Sequence, residues 1–119
     1  MAINTKTIAR QGIIEYKGYY GKVEFDNNAG IFHGSVIDLR DIITFQGTCV
    51  DELRQAMADS VDDYLAFCSE LGRDPEKPFT GKFIIRIAPE LHREITIRAK
   101  AEDISLNQWV SNKLERSLD

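Results

Sequence analysis

Gly81-Lys82-Phe83-Ile84-Ile85-Arg86-Ile87-Ala88-Pro89, "GKFIIRIAP", is the stretch on which the fold turns. Apolar and cationic residues alternate through it as in a short β-strand, yet everything after it reads as helix, so no later strand can pair with it. An unpaired strand leaves backbone N–H and C=O groups without partners, which proteins avoid or use deliberately. The surrounding sequence must therefore say where its partner comes from.

Downstream, Pro89 suits the first turn of a helix whose Leu91, Ile95 and Ala99 share one stripe, with Arg93, Arg98 and Lys100 among its polar positions. That helix is expected to stop near Glu102-Asp103. Ser105 with Gln108 three residues on has capping-box spacing and opens a second helix, with Leu106, Trp109, Val110, Leu114 and Leu118 on its apolar side. One strand and two short helices, about 38 residues, fall near the size at which a domain needs a metal, disulfides or a second copy to close a core. No metal or disulfide pattern is present. Pairing two copies of "KFIIRI" antiparallel supplies the missing ladder and closes with two-fold symmetry. Phe83, Ile85 and Ile87 then face inward, joining Leu91, Ile95, Trp109, Val110 and Leu114 in a dimer core, and Lys82, Ile84 and Arg86 face out.

That outer face carries chemistry. Gly81 to Pro89 contains no carboxylate, so the paired ribbon presents four cations around a paired Ile84. A two-stranded ribbon fits the DNA major groove, where Arg and Lys donate to guanine and an aliphatic group touches the thymine methyl. Backbone N–H groups near Ser105, Leu106 and Asn107 add a phosphate anchor at a positive helix end. The DNA-facing set is thus Lys82, Ile84, Arg86, Ser105, Leu106 and Asn107. Charged edge residues also serve merely to protect an exposed strand, but pairing removes that need here.

Upstream, "YYGKVEF" (19–25) alternates in strand fashion, "DNNAG" (26–30) has turn chemistry, and "IFHGSVI" (31–37) returns. "DLRD" (38–41) turns again into "IITFQG" (42–47), giving a meander of three antiparallel strands. Thr48 with Asp51 resembles a helix start. Val50, Leu53, Met57, Val61, Tyr64, Leu65, Cys68 and Leu71 then recur at spacings of three and four until Gly72, a covering helix of about six turns. "GRDPEKP" (72–78) combines Gly with two prolines in a charged run and reads as an exposed linker. The expected organisation is α+β: a sheet-and-helix domain over 1–71, a linker over 72–79 and a dimerising tail over 80–119.

Charge divides along the same line. Residues 1–79 hold 8 Lys/Arg and 13 Asp/Glu, residues 80–119 hold 7 and 6, and the whole carries −4. An acidic body does not favour a polyanion, so any nucleic-acid contact must come from placement of cations in the tail. "MAINTKTIARQGIIEYKGYYG" lacks an apolar run of signal-peptide length and no segment approaches the roughly 20 apolar residues of a membrane span. A cytoplasmic protein is expected. Cys49 and Cys68 lack C-x-x-C spacing and read as ordinary small apolar or surface positions.

Enzymatic chemistry finds little support. Glu24, Asp26, Asp38, Asp41, Asp62 and Asp63 could be imagined around two Mg²⁺ ions, but most fall at turns or on a solvated helix face. His33 and His92 have no nucleophile arranged near them by sequence. Neither a catalytic residue, a metal site nor a cofactor is assigned. Tyr19, Tyr20 and the acidic helix face offer a protein-binding surface as readily as sheet packing.

The strand "KFIIRIAPELHREI", the turn and "SLNQWVSNKLERSL" resemble a ribbon-helix-helix DNA-binding domain, and "SLNQWV" is similar to the tail of HicB-family antitoxins. The region from Tyr16 through Phe83 resembles the body of the same family. This resemblance implies a type II antitoxin: a degenerate, partial RNase H-like N-terminal domain that masks a HicA-like mRNA-cleaving toxin, and a dimeric tail that binds operator DNA of its own promoter as a repressor. It implies Lys82, Ile84 and Arg86 as base-facing and Ser105 at the head of the phosphate-contacting helix. Two positions depart from the family pattern. Ile84 is apolar where that position is often polar, and Asp103 stands in the turn where Gly is common; Asp enters the left-handed region at modest cost. The competing readings are a stand-alone repressor with a ligand-sensing N-terminal domain and an RNase H-like nuclease.

Overall fold

The computed structural model describes residues 12–119; the first eleven residues of the expected N-terminal domain lie outside it. Among the described residues the chain divides after Gly81 into two compact units.

The N-terminal unit contains β1 (Ile13–Tyr16), β2 (Tyr19–Asp26), β3 (Ile31–Val36), β4 (Thr44–Gly47) and α1 (Val50–Glu70), with the strands in one antiparallel sheet of order β1-β2-β3-β4. The expected three strands are four. "IIEY" escaped because it has no alternation and its turn, Lys17-Gly18, lacks the usual Asn-Gly signal. Both turn residues have positive φ, 50° and 81°, as a two-residue hairpin needs, and Tyr16 pairs with Tyr19 across it. Gly18 N–H donates to Glu15 Oε1 at 2.9 Å. The next turn matches expectation: Asp26 Oδ1 accepts from the Asn28 and Ala29 amides at 3.0 and 3.1 Å, and Gly30 closes it at φ 68°.

The last strand begins at Thr44, two residues later than expected. Ile42 is exposed, whereas Ile43 is buried and its carbonyl accepts from Val36 N–H at 2.9 Å. Gly34 of β3 pairs with Phe45 of β4. The Phe45 ring lies over Gly34 and over Gly21 of β2, where an added Cβ would meet it at 2.7 Å. The two glycines are thus the recess that lets a large aromatic sit flat between sheet and helix.

α1 closes that face through Leu53, Met57 and Val61, which form the core with Tyr19, Val36, Ile43 and Phe45. Fully burying one such aliphatic side chain contributes about 1.5–3 kcal/mol. The helix starts one residue later than the Thr48 reading: Cys49 is the N-cap and supplies no side-chain bond. Glu52, not Asp51, reaches back, accepting from Thr48 N–H at 3.1 Å and Thr48 Oγ1–H at 3.2 Å. At the other end Gly72, φ 67°, terminates it, with Gly72 N–H on Ser69 O and Arg73 N–H on Cys68 O, the paired bonds of a Schellman ending.

Residues 72–79 do not hang free as an exposed linker. Glu76 and Phe79 bond to Tyr19, Tyr64, Asp38 and the loop between β3 and β4, so this segment belongs to the N-terminal unit. Pro and Gly do set its backbone, but side-chain acceptors at distant positions, invisible to local composition, fasten it.

The C-terminal unit holds α2 (Pro89–Ala101) and α3 (Leu106–Ser117). Pro89 is the first helical residue after an extended Ala88. Residues 82–88 have no strand assignment in the single chain, where the described residues of their unit include no second strand. Asp103 has φ 61°, and the Asp103 and Ile104 amides donate to Lys100 O and Ala99 O, both at 3.1 Å. Asp thus performs the left-handed turn that Gly commonly makes.

Candidate nucleic-acid and partner interface

The C-terminal unit cannot hide its own apolar side chains. Phe83 is 73% exposed, Ile84 92%, Ile85 55% and Ile87 40%, and Ala99, at 2%, is the unit's one buried core residue among those described. Inward-assigned Phe83, Ile85 and Ile87 and outward-assigned Ile84 are thus all exposed in the single chain. Lys82 and Arg86 are exposed beside them.

Of the other residues assigned to the dimer core, Ile95, Trp109 and Val110 are half-buried and Leu91 and Leu114 exposed. Trp109 is oriented by its polar edge: its indole N–H donates to Glu102 Oε2 at 2.8 Å, and Lys113 Nζ stands 5.1 Å from the ring centroid. A single aromatic thereby ties the end of α2 to α3.

Ser105 is the N-cap of α3, its Oγ accepting from Gln108 N–H at 3.0 Å. The reciprocal half of the capping box is replaced: the Gln108 side chain donates to Asn112 Oδ1 at 2.8 Å. Leu106 and Asn107 therefore occupy the first helical positions, where backbone N–H groups have no intrahelical acceptor. This is the geometry an anion recognises, and α3 has no acidic residue in its first turn to repel one.

In the N-terminal unit the carboxylates named above disperse. Asp26 caps a turn, Glu24 pairs across strands with His33, and Asp38 accepts from the Phe79 amide at 2.8 Å. Asp62 is held by Tyr16 Oη–H and Lys17 Nζ, each at 2.8 Å. Lys17 first, then Tyr16, hold its carboxyl below the ordinary value near 3.8. The same bonds raise the Tyr16 phenol and the Lys17 ammonium. Among the described residues there is no group of three or more His, Cys, Asp or Glu placed to hold a metal ion. Tyr19, offered as a surface residue, is buried, with its hydroxyl on Glu76 O at 3.0 Å and its phenol pushed up by burial. Tyr20 packs edge-on against Phe79, centroids 5.7 Å apart. A recess of about 420 Å³ opens beside β1, lined by Ile13, Ile14, Glu15, Tyr16, Arg54 and Met57. Sequence reasoning did not find it because β1 itself was not recognised.

Cys49 is exposed and Cys68 buried, both as free thiols. Among the described residues no helix is long and apolar enough to cross a membrane.

Taken together, a sheet-and-helix body followed by an apolar-cationic segment and a helix pair defines a two-part α+β protein. Residues 64–114, from the last turns of α1 through α2 and most of α3, match the model of the HicB family, a generally toxin–antitoxin-associated family. No curated protein and no solved structure matches the chain.

Proposed function

We propose that this chain is an antitoxin that binds a toxin through its N-terminal unit and represses its own operon as a dimer through residues 80–119. The observation that carries the reading is the exposed run Phe83 to Ile87 on a unit that buries almost none of its own apolar surface. Such a segment is an edge awaiting a strand, and a second copy offers the same alternation with two-fold closure. The family match over residues 64–114 supports the toxin–antitoxin setting.

In this reading two "KFIIRI" segments form an antiparallel ribbon, and each chain carries a partial RNase H-like body. Lys82 and Arg86 donate to base edges in the major groove, Ile84 makes apolar contact, and the amides at Ser105, Leu106 and Asn107 hold a backbone phosphate. Neutralisation is by masking a HicA-like RNase, so the chain acts by binding and needs neither a catalytic residue, a metal nor a cofactor. It works in the cytoplasm, where toxin and operator both are.

Co-expression with the neighbouring short reading frame followed by a pull-down tests it. The neighbour should be toxic alone, harmless with this chain, and recovered in complex with it. A neighbour that is neither toxic nor bound contradicts the antitoxin role.

A further inference from the structure

We propose that residues 72–81 form a releasable strap that sets the reach of the C-terminal unit. In Glu76 every polar group is engaged by the body. Its amide donates to Tyr64 Oη at 2.9 Å, its carbonyl accepts from Tyr19 Oη–H at 3.0 Å, and its carboxylate accepts from the Arg40 and Asp41 amides at 2.9 and 3.4 Å. Arg40 Nε adds an ion pair at 3.8 Å. Three residues on, Phe79 lies at φ 57°, a region a bulky aromatic enters only where its surroundings over-determine it. Two contacts do so: its amide on Asp38 Oδ2 at 2.8 Å, and its ring against Tyr20. Asp38 has positive φ as well, 60°, so strain sits on both sides of that bond.

This combination makes a two-state element. The contacts are mostly polar and half-exposed, with an Arg73–Asp41 ion pair at 3.5 Å beside those of Glu76 and Phe79, while the left-handed backbone at Phe79 gains by relaxing, so loss of an anchor favours release of the segment. Docked, the chain leaves the N-terminal unit at Gly81, φ 90°. Released, it leaves at Gly72, and nine more residues of tether, roughly 30 Å at full extension, separate the two units. A ligand of the body that takes Tyr20 or the β3–β4 loop would change how freely the C-terminal unit moves without touching it. This inference does not rest on the antitoxin reading.

Hydrogen exchange on the full chain, parent against Glu76→Ala and Tyr20→Ala, tests it, with spin labels on Asp63→Cys and Glu115→Cys in a Cys49→Ser background diluted with unlabelled protein. In the parent the Glu76 and Phe79 amides should be protected to the same degree. Each variant should speed both together, by about tenfold for the loss of one such anchor, and broaden the label-to-label distance distribution, while Val36 and Val61 amides keep their protection. Free-chain exchange at residues 76 and 79 in the parent, exchange of the two amides responding separately, or an unchanged distance distribution would overturn the strap.

Discussion

Asp62 of α1 receives Tyr16 Oη–H and, on its other oxygen, Lys17 Nζ, both at 2.8 Å, so a carboxylate that could be imagined at a metal instead fastens the β1–β2 hairpin to the helix. The consequence is a pH dependence with a definite sign. The folded state holds Asp62 below its ordinary value near 3.8, so its contribution is complete above that pH and is lost as pH falls beneath it. Tyr16 and Lys17 are raised above 10.0 and 10.5, so theirs is complete below those values and is lost as pH climbs through them. Asp62→Asn should flatten both limbs. Denaturant titrations near pH 7 and about pH 3 would check it: the difference between parent and variant should shrink at the acid end, and a constant difference would contradict the assignment.

Packing at Phe45 predicts a cost for the smallest possible side chain. A Cβ at Gly34 would overlap the Phe45 ring, which is itself clamped between sheet and helix. Gly34→Ala should lower the unfolding free energy by about 1–3 kcal/mol, the usual range for overpacking. Adding Phe45→Leu should recover part of it, and strict additivity of the two changes in denaturant midpoints would argue against their contact.

At Asp103 the prediction concerns backbone alone. Its φ of 61° suits Gly, and a β-branched residue there is strained. Asp103→Gly should raise stability by up to about 1 kcal/mol, and Asp103→Val should lower it by about 1–2 kcal/mol. Thermal unfolding reads both, and a Val variant that melts with the parent would show that the turn between α2 and α3 is not left-handed.

The proposed DNA face separates reading from folding. Arg86→Ala should weaken specific operator binding by about 1–3 kcal/mol and leave self-association and toxin binding intact. Ile85→Asp should abolish self-association and operator binding together, because it places a charge in the ribbon's inner face. Gel-shift titration beside sedimentation distinguishes them; operator affinity unaffected by Arg86→Ala would remove that residue from the interface.

What could be read from sequence followed what is local. The α1 stripe from Leu53 to Val61, the "DNNAG" turn, Pro89 at a helix start and Ser105 at a cap each depend on neighbours within a few residues. β1 was hidden because "IIEY" declares no period, and its turn uses a Lys held in the left-handed region next to a distant Asp62. The strap was hidden for the same reason: "GRDPEKP" has linker composition, and its fastening comes from Tyr19, Asp38 and Tyr64, far off in the chain. At the candidate interface the inward and outward assignments of residues 82–87 came from alternation, and in the single chain Phe83, Ile84, Ile85 and Ile87 are all exposed, inward and outward alike.

The central claim is that "GKFIIRIAP" is half of a ribbon whose other half is a second copy. Isotope-filtered NOE spectroscopy on protein mixed from labelled and unlabelled chains measures this directly. Cross-strand contacts between residues 83–87 of one copy and 83–87 of the other, in antiparallel register, are the predicted result; a chain that stays monomeric, or a dimer with no contact between those segments, would contradict it.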